Sequence, residues 1–156
     1  MANLAVGSKL PTFTAASTGS GTWSSSAARP GKLLLYFYPK DDTSGCTMQA
    51  EQFRDLYPKL RRVGVTVLGI SRDSLLKHEK FKAKYELPFE LLADEDESLC
   101  KLFDVIHEKS LYGRKYMGIV RSSFLFDGKG VLQQEWRKVK VDGHAEVVLE
   151  AAKRID

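Results

Sequence analysis

The sequence predicts an α/β protein: a central mixed sheet flanked by helices and preceded by an N-terminal β-hairpin. Three observations predict it. Two short runs, KLLLYFY over 32–38 and VTVLGIS over 65–71, have the length and apolar content of buried strands. Apolar residues at helical spacing follow the first of them. Near the C-terminal end, Asp127-Gly128-Lys129-Gly130 joins two further strand-like runs as a hairpin turn. Alternating strands and helices demand a parallel sheet with helices on its faces, and the late hairpin adds antiparallel strands to it.

Taken in order, residues 12–26 surround the turn-forming stretch Ser17-Thr18-Gly19-Ser20-Gly21-Thr22 and should form the short first hairpin. Arg29-Pro30-Gly31 is a second turn signal, and Pro39 ends the first buried strand. Thr43 or Ser44 can cap the helix that follows. From Cys46 onward, Phe53, Leu56, Tyr57, Leu60 and Val63 recur at helical spacing, and Gly64 stops the helix. Pro58 falls inside this pattern and predicts a kink or break, because it has no N–H to donate. Residues 74–85 read as a helix capped by Asp73 or Ser74, 89–93 as a short strand, and 97–103 as a short helix carrying Cys100. A loop rich in Gly, Lys and Tyr should follow. Residues 119–126 and 131–139 are the strands of the late hairpin, and 143–154 the last helix. This order is thioredoxin-like.

The chain has 156 residues, which predicts one domain over 1–156 that needs no disulfide or metal to hold its core. Its net charge of +4 comes from 24 basic residues interspersed with 20 acidic ones. Such mixing predicts a solvated surface and no nucleic-acid partner. No run approaches a membrane span, and the N-terminus lacks the basic start and long apolar run of a secretory signal. Two cysteines 54 residues apart form neither a disulfide framework nor a zinc motif, so a cytoplasmic, reducing compartment is expected.

The chemistry centres on Cys46. It falls in the first helical turn after a buried strand, where ligands bind in parallel α/β sheets. Free backbone amides and the helix dipole favour a thiolate there. With an ordinary thiol pKa of about 8.5, roughly 3% is ionised at neutral pH. Complete ionisation therefore gains at most about 30-fold, or roughly 2 kcal/mol. Cleaving an O–O bond also needs donors aimed at the departing oxygen, which can supply several further kcal/mol. Thr43 offers a hydroxyl, and the amides of Gly45 and Cys46 offer backbone donors. The cation must come from elsewhere in the chain.

Tyr36-Phe37-Tyr38-Pro39-Lys40-Asp41-Asp42-Thr43-Ser44-Gly45-Cys46-Thr47 resembles the peroxidatic motif of the peroxiredoxins, Pro-x-x-x-Thr-x-x-Cys. More narrowly, it resembles the bacterioferritin-comigratory-protein branch, also called peroxiredoxin Q. Leu91-Leu92-Ala93-Asp94-Glu95-Asp96, Glu108-Lys109-Ser110-Leu111-Tyr112-Gly113 and Gly118-Ile119-Val120-Arg121-Ser122-Ser123-Phe124-Leu125 extend the resemblance over most of the chain. It implies a thiol-dependent peroxidase, without cofactor or metal, that reduces hydrogen peroxide and organic hydroperoxides. By matched position, Cys46 is the nucleophile that becomes a sulfenic acid. Thr43 hydrogen-bonds peroxide and thiolate, Pro39 shields the pocket, and Arg121 is the cation. Gln49, three residues after Cys46, is placed to support Arg121. The resemblance also implies a monomer recycled by thioredoxin, glutaredoxin or a small thiol.

Two departures stand out. Ser44 replaces a usual proline. The two positions that hold a resolving cysteine in relatives are Glu51 and Lys82 here. Cys100 is then either a half-buried structural thiol or an unusual resolver, and a one-cysteine mechanism is the expectation. His78, His107 and His144 lack metal-ligand spacing and are expected in surface or core roles. Arg137, Lys138 and Lys140 beside Trp136 are expected on a solvated face. Two rival readings are a thiol–disulfide oxidoreductase, disfavoured by the missing C-x-x-C, and a non-catalytic binding or holdase module that would not need Cys46.

Overall fold

The computed structural model describes residues 4–19, 21–28 and 31–156. Strands β1 (Thr14–Ser17) and β2 (Gly21–Ser24) pair antiparallel as the N-terminal hairpin, and a 3-10 turn follows. Of the second turn signal, Arg29 and Pro30 lie outside the described residues. Next come β3 (Lys32–Phe37), α1 (Ser44–Arg62), β4 (Val65–Ser71), α2 (Leu75–Lys84), β5 (Glu90–Ala93) and α3 (Ser98–Leu102). The chain closes with β6 (Ile106–Leu111), β7 (Arg114–Ile119), β8 (Ser122–Phe126), β9 (Leu132–Arg137) and α4 (His144–Lys153).

The main sheet runs β2-β1-β5-β4-β3-β8-β9. Its centre, β3–β4–β5, is parallel, and β1 and β8 join it antiparallel. The fold is thus the mixed α/β sheet the sequence predicts. Because successive side chains on a strand point to opposite faces, β3 feeds two cores. Leu34, Tyr36 and Tyr38 pack with Cys46, Phe53 and Leu60 of α1 and with Val148 and Ala152 of α4. Leu33, Leu35 and Phe37 pack on the other face with Leu99, Cys100 and Phe103. Both faces being covered explains why β3 and β4 read as continuous apolar runs. Gly69 of β4 stands opposite Tyr36, and a Cβ there would lie 2.9 Å from the tyrosine ring. The missing side chain makes room for an aromatic one.

Three expectations need correction. Helix α1 runs through Pro58 without a break. Pro58 is exposed, while Phe53 and Leu60 anchor the helix on either side of it, so packing outweighs one lost hydrogen bond. The stretch after α3 is a regular hairpin, β6 paired with β7 from Ile106–Ile119 to Leu111–Arg114. It forms its own two-stranded sheet with mostly exposed side chains, so no alternation of apolar and polar residues marks it. Finally, the long strand expected over 119–126 is two strands, and Arg121 sits in the break between β7 and β8.

Candidate active site

β3 delivers the chain to the site. Past its end, the Tyr38 amide still donates to Ile70 O at 3.0 Å, and Pro39 then ends the pairing. The segment from Pro39 to Thr43 is tied down at several points. The Tyr38 hydroxyl donates to Asp41 Oδ1 at 2.6 Å, and the Asp41 amide to Asp73 Oδ2 at 2.9 Å. Asp42, in the left-handed region, accepts from Lys84 Nζ at 2.7 Å and from the Tyr85 hydroxyl at 2.6 Å. The Lys84 bond, then that of Tyr85, holds the Asp42 carboxyl below its ordinary pKa. Thr43 stands at the N-cap of α1, yet its side chain makes no capping bond. Its hydroxyl donates instead to Lys40 O at 2.8 Å, which leaves the oxygen lone pairs as acceptors toward the loop.

Cys46 lies in the first turn of α1 and is 2% exposed. Arg121 Nη2 donates to its sulfur at 3.4 Å, and Arg121 Nη1 donates to Gln49 Oε1 at 2.6 Å. Gln49 follows Cys46 by three residues and therefore shares its helix face. The guanidinium is bridged across one turn of α1, aimed at the sulfur by one nitrogen and held by another. The Arg121 carbonyl accepts from the Val139 amide at 3.0 Å, which fixes the backbone beneath it. A Cβ on Gly45 would lie 3.3 Å from Nη2, so glycine before the cysteine lets the cation come close.

Lys109 of β6 stands in the same field. Burial, and after it the charge of Arg121, lowers its pKa. Tyr36, fully buried, has its pKa raised well above the ordinary value, by burial first and by Cys46 second. Its hydroxyl and Gln49 Nε2 have no hydrogen-bond partner among the described residues.

The sequence-predicted residues divide in space. Cys46, Gln49 and Arg121 meet at the start of α1, with Thr43 at the helix N-cap three residues before the cysteine and Pro39 on the preceding loop. Cys100 does not join them, because it belongs to the core on the opposite face of the sheet. Its amide donates to Asp94 Oδ2 at 2.8 Å. Burial, with the neighbouring Asp94, pushes the Cys100 thiol far up. Glu51 and Lys82 are half-buried, and Lys82 is ion-paired to Glu90. Arg137 departs from the expected solvated face. It donates to Asp104 O at 2.7 Å and to Phe103 O at 3.0 Å, tying β9 to the end of α3, whereas Lys138 and Lys140 are exposed.

His144 is buried against Trp136 and Phe53, with Nε2 2.9 Å from Ser123 Oγ. His78 is fully buried and reaches Asp41. Reading the sequence alone missed Asp41, Asp42, His78 and Lys109. The one available signal was His78 three residues before Phe81, a spacing that puts both on the buried face of α2.

The family model for AhpC/TSA proteins matches residues 6–135. The chain belongs to the AhpC/TSA family. It is 49% identical over 147 residues to the putative peroxiredoxin bcp of Coxiella burnetii, covering 94% of this chain and 97% of that protein. Among solved structures, a serine variant of Xylella fastidiosa PrxQ superimposes with a TM-score of 0.92 at 39% identity, covering 98% of both chains. Xanthomonas campestris bacterioferritin comigratory protein, described for its alkyl peroxide reduction activity, superimposes with a TM-score of 0.86 at 44% identity over 90% of each chain. This AhpC/TSA protein is accordingly a thiol-dependent peroxidase, with peroxides as substrates and a thiol as reductant. Among the described residues, no helix is long and apolar enough to cross a membrane.

Proposed function

We propose that Cys46 reduces hydroperoxides by a one-cysteine mechanism. The observation that carries this reading is the Arg121 guanidinium, 3.4 Å from Cys46 Sγ and held by Gln49. The Cys46 thiolate attacks one peroxide oxygen. An S–O bond forms as the O–O bond breaks, the other oxygen leaves as water or alcohol after taking a proton, and Cys46 becomes a sulfenic acid. Arg121 stabilises the sulfur before attack and the departing oxygen during it. Thr43, its own hydrogen given to Lys40 O, accepts from the peroxide hydroxyl and so orients the O–O bond. Pro39 flanks this pocket and limits water.

An external thiol then attacks the sulfenic sulfur and expels water. A second thiol releases Cys46 and leaves with the first as a disulfide. Hydrogen peroxide and organic hydroperoxides are the substrates in this reading. The reductant is thioredoxin, glutaredoxin or a small thiol, and the protein acts as a cytoplasmic monomer of one domain. Three features support recycling by an external thiol. Glu51 and Lys82 stand where a resolving cysteine would be. Cys100 packs on the far side of the sheet, and bonding two sulfurs needs Cα atoms within about 7 Å. The Cys100 thiol is held protonated, and the thiolate is the attacking form.

Intact-mass analysis after one equivalent of peroxide tests the mechanism. A sulfenic acid that a dione probe traps on Cys46, absent in Cys46→Ser, is expected. Loss of two mass units, marking a Cys46–Cys100 disulfide, refutes the one-cysteine route.

A further inference from the structure

Beneath the peroxide-reacting loop lies a buried network that the proposed chemistry does not use. His78 of α2 is 0% exposed and Asp41 nearly so. The ring touches two partners of unlike character. Nε2 lies 2.9 Å from Leu92 O of β5, and a carbonyl oxygen only accepts, so Nε2 carries a proton. Nδ1 lies 2.6 Å from Asp41 Oδ2, and a proton must lie between them. The other Asp41 oxygen accepts from the Tyr38 hydroxyl at 2.6 Å. Asp41 and His78 thus form a buried pair in which both ring nitrogens and both carboxylate oxygens are hydrogen-bonded.

The direction of support follows from what each residue is anchored to. Leu92 belongs to a strand inside the main sheet, between β4 and β1. Its carbonyl sets the plane and position of the His78 ring. His78 in turn holds Asp41, which is two residues before Thr43 and five before Cys46. A second tie, the Asp41 amide to Asp73 Oδ2, comes from the end of β4. The cluster Asp41, Asp73 and His78 gathers its ligand-type atoms within 4.8 Å of one another. The short Asp41–His78 contact makes it a hydrogen-bonded brace.

The geometry points to His78 as a positioning residue for the peroxide reaction: fixed on the sheet by Leu92, it holds Asp41. Through Asp41 it sets the segment that presents Pro39 and Thr43 to the peroxide. His78 touches neither Cys46 nor Arg121, so it governs how peroxide is oriented and leaves the nucleophile itself alone. A purely structural brace would impair both together.

The test compares two reactions of the same sulfur in the whole protein. Peroxide oxidation of Cys46 needs the oriented loop, whereas alkylation by iodoacetamide needs only the thiolate and access to it. In His78→Gln, the second-order rate with hydrogen peroxide should fall about 10- to 100-fold, the usual cost of misplacing a reacting group by about 1 Å. Alkylation should not fall. Tyr38→Phe deletes one hydroxyl and no charge, so it serves if His78→Gln does not fold, and it should shift the ratio the same way. In the unaltered protein, NMR should show a His78 Nε2 proton protected from solvent exchange, as its bond to Leu92 O requires. A rapidly exchanging Nε2 proton, a parallel fall of both rates, or an unchanged peroxide rate in a folded variant overturns the proposal. The inference rests on Cys46 being the peroxide-reacting thiol. Cys46→Ser checks that point separately, and the NMR result does not depend on it.

Discussion

Arg121→Met should slow peroxide oxidation of Cys46 by roughly 100- to 200-fold, and the figure can be worked from the site. The substitution keeps most of the side-chain length and removes a positive charge 3.4 Å from Sγ. At that separation two unit charges interact by about 1 kcal/mol in bulk water and by about 5 kcal/mol at an effective dielectric of ~20. Cys46 is buried and Arg121 half-buried, so the site lies between these limits. A loss of about 3 kcal/mol in the transition state is the expected value, and it corresponds to the stated slowing. Arg121→Lys keeps the charge but not the fork that serves sulfur and Gln49 Oε1 together, so a smaller loss of about tenfold is expected. Stopped-flow measurement of the second-order rate with hydrogen peroxide, at constant salt, reads both variants. A loss below about threefold in a folded Arg121→Met protein refutes the reasoning, since the differential charge stabilisation would then be under about 1 kcal/mol.

Other measurements test separate parts of the structure. Tyr36→Phe removes a buried hydroxyl that has no partner among the described residues and should stabilise the fold by about 1 kcal/mol in urea titration, because such groups cost about 1–3 kcal/mol; destabilisation would reveal a partner. Gly69→Ala drives a methyl to 2.8 Å from Leu91 and 2.9 Å from Tyr36, and should cost about 1–3 kcal/mol of stability by overpacking. Cys100→Ala, which removes only a buried sulfur from the far core, should leave thiol-supported turnover unchanged; loss of turnover in a folded variant would restore Cys100 as a resolver. Burial, then the charge of Arg121, lowers the His144 pKa to about 4. The folded state therefore holds this ring neutral while the unfolded chain, with an ordinary value of about 6.5, binds a proton first. Stability from this site is present above about pH 6.5 and is lost as pH falls toward 4, by roughly 3 kcal/mol in all. His144→Gln should flatten that part of a urea-midpoint profile, and an unaltered slope would exclude His144 as its source.

How far the sequence could be read depended on whether burial and local spacing coincided. The strands of the central sheet are covered on both faces, so β3 and β4 announce themselves as apolar runs. The β6–β7 hairpin escaped notice because its register rests on backbone bonds while most of its side chains face water. Pro58 misled because propensity speaks for one position, whereas α1 is held along nineteen residues by its contacts with β4 and α4. Arg137 was read as a solvated charge because its partners are backbone carbonyls, which leave no mark on the sequence.

The residues near Cys46 in the chain marked it by themselves as the candidate reactive thiol. A thiol in a first helical turn, a hydroxyl three residues earlier and the absence of cysteine at positions 51 and 82 are matters of covalent order. What only the tertiary structure decided is which distant groups meet that thiol. Arg121 reaches it across 75 residues because β8 is the antiparallel neighbour of β3. Cys100 is kept from it because the sheet stands between their two cores. His78 meets Asp41 because α2 packs on β5 beside the loop that β3 delivers. Strand order and the face on which each helix lands are collective outcomes of packing, so no stretch of sequence contains them alone.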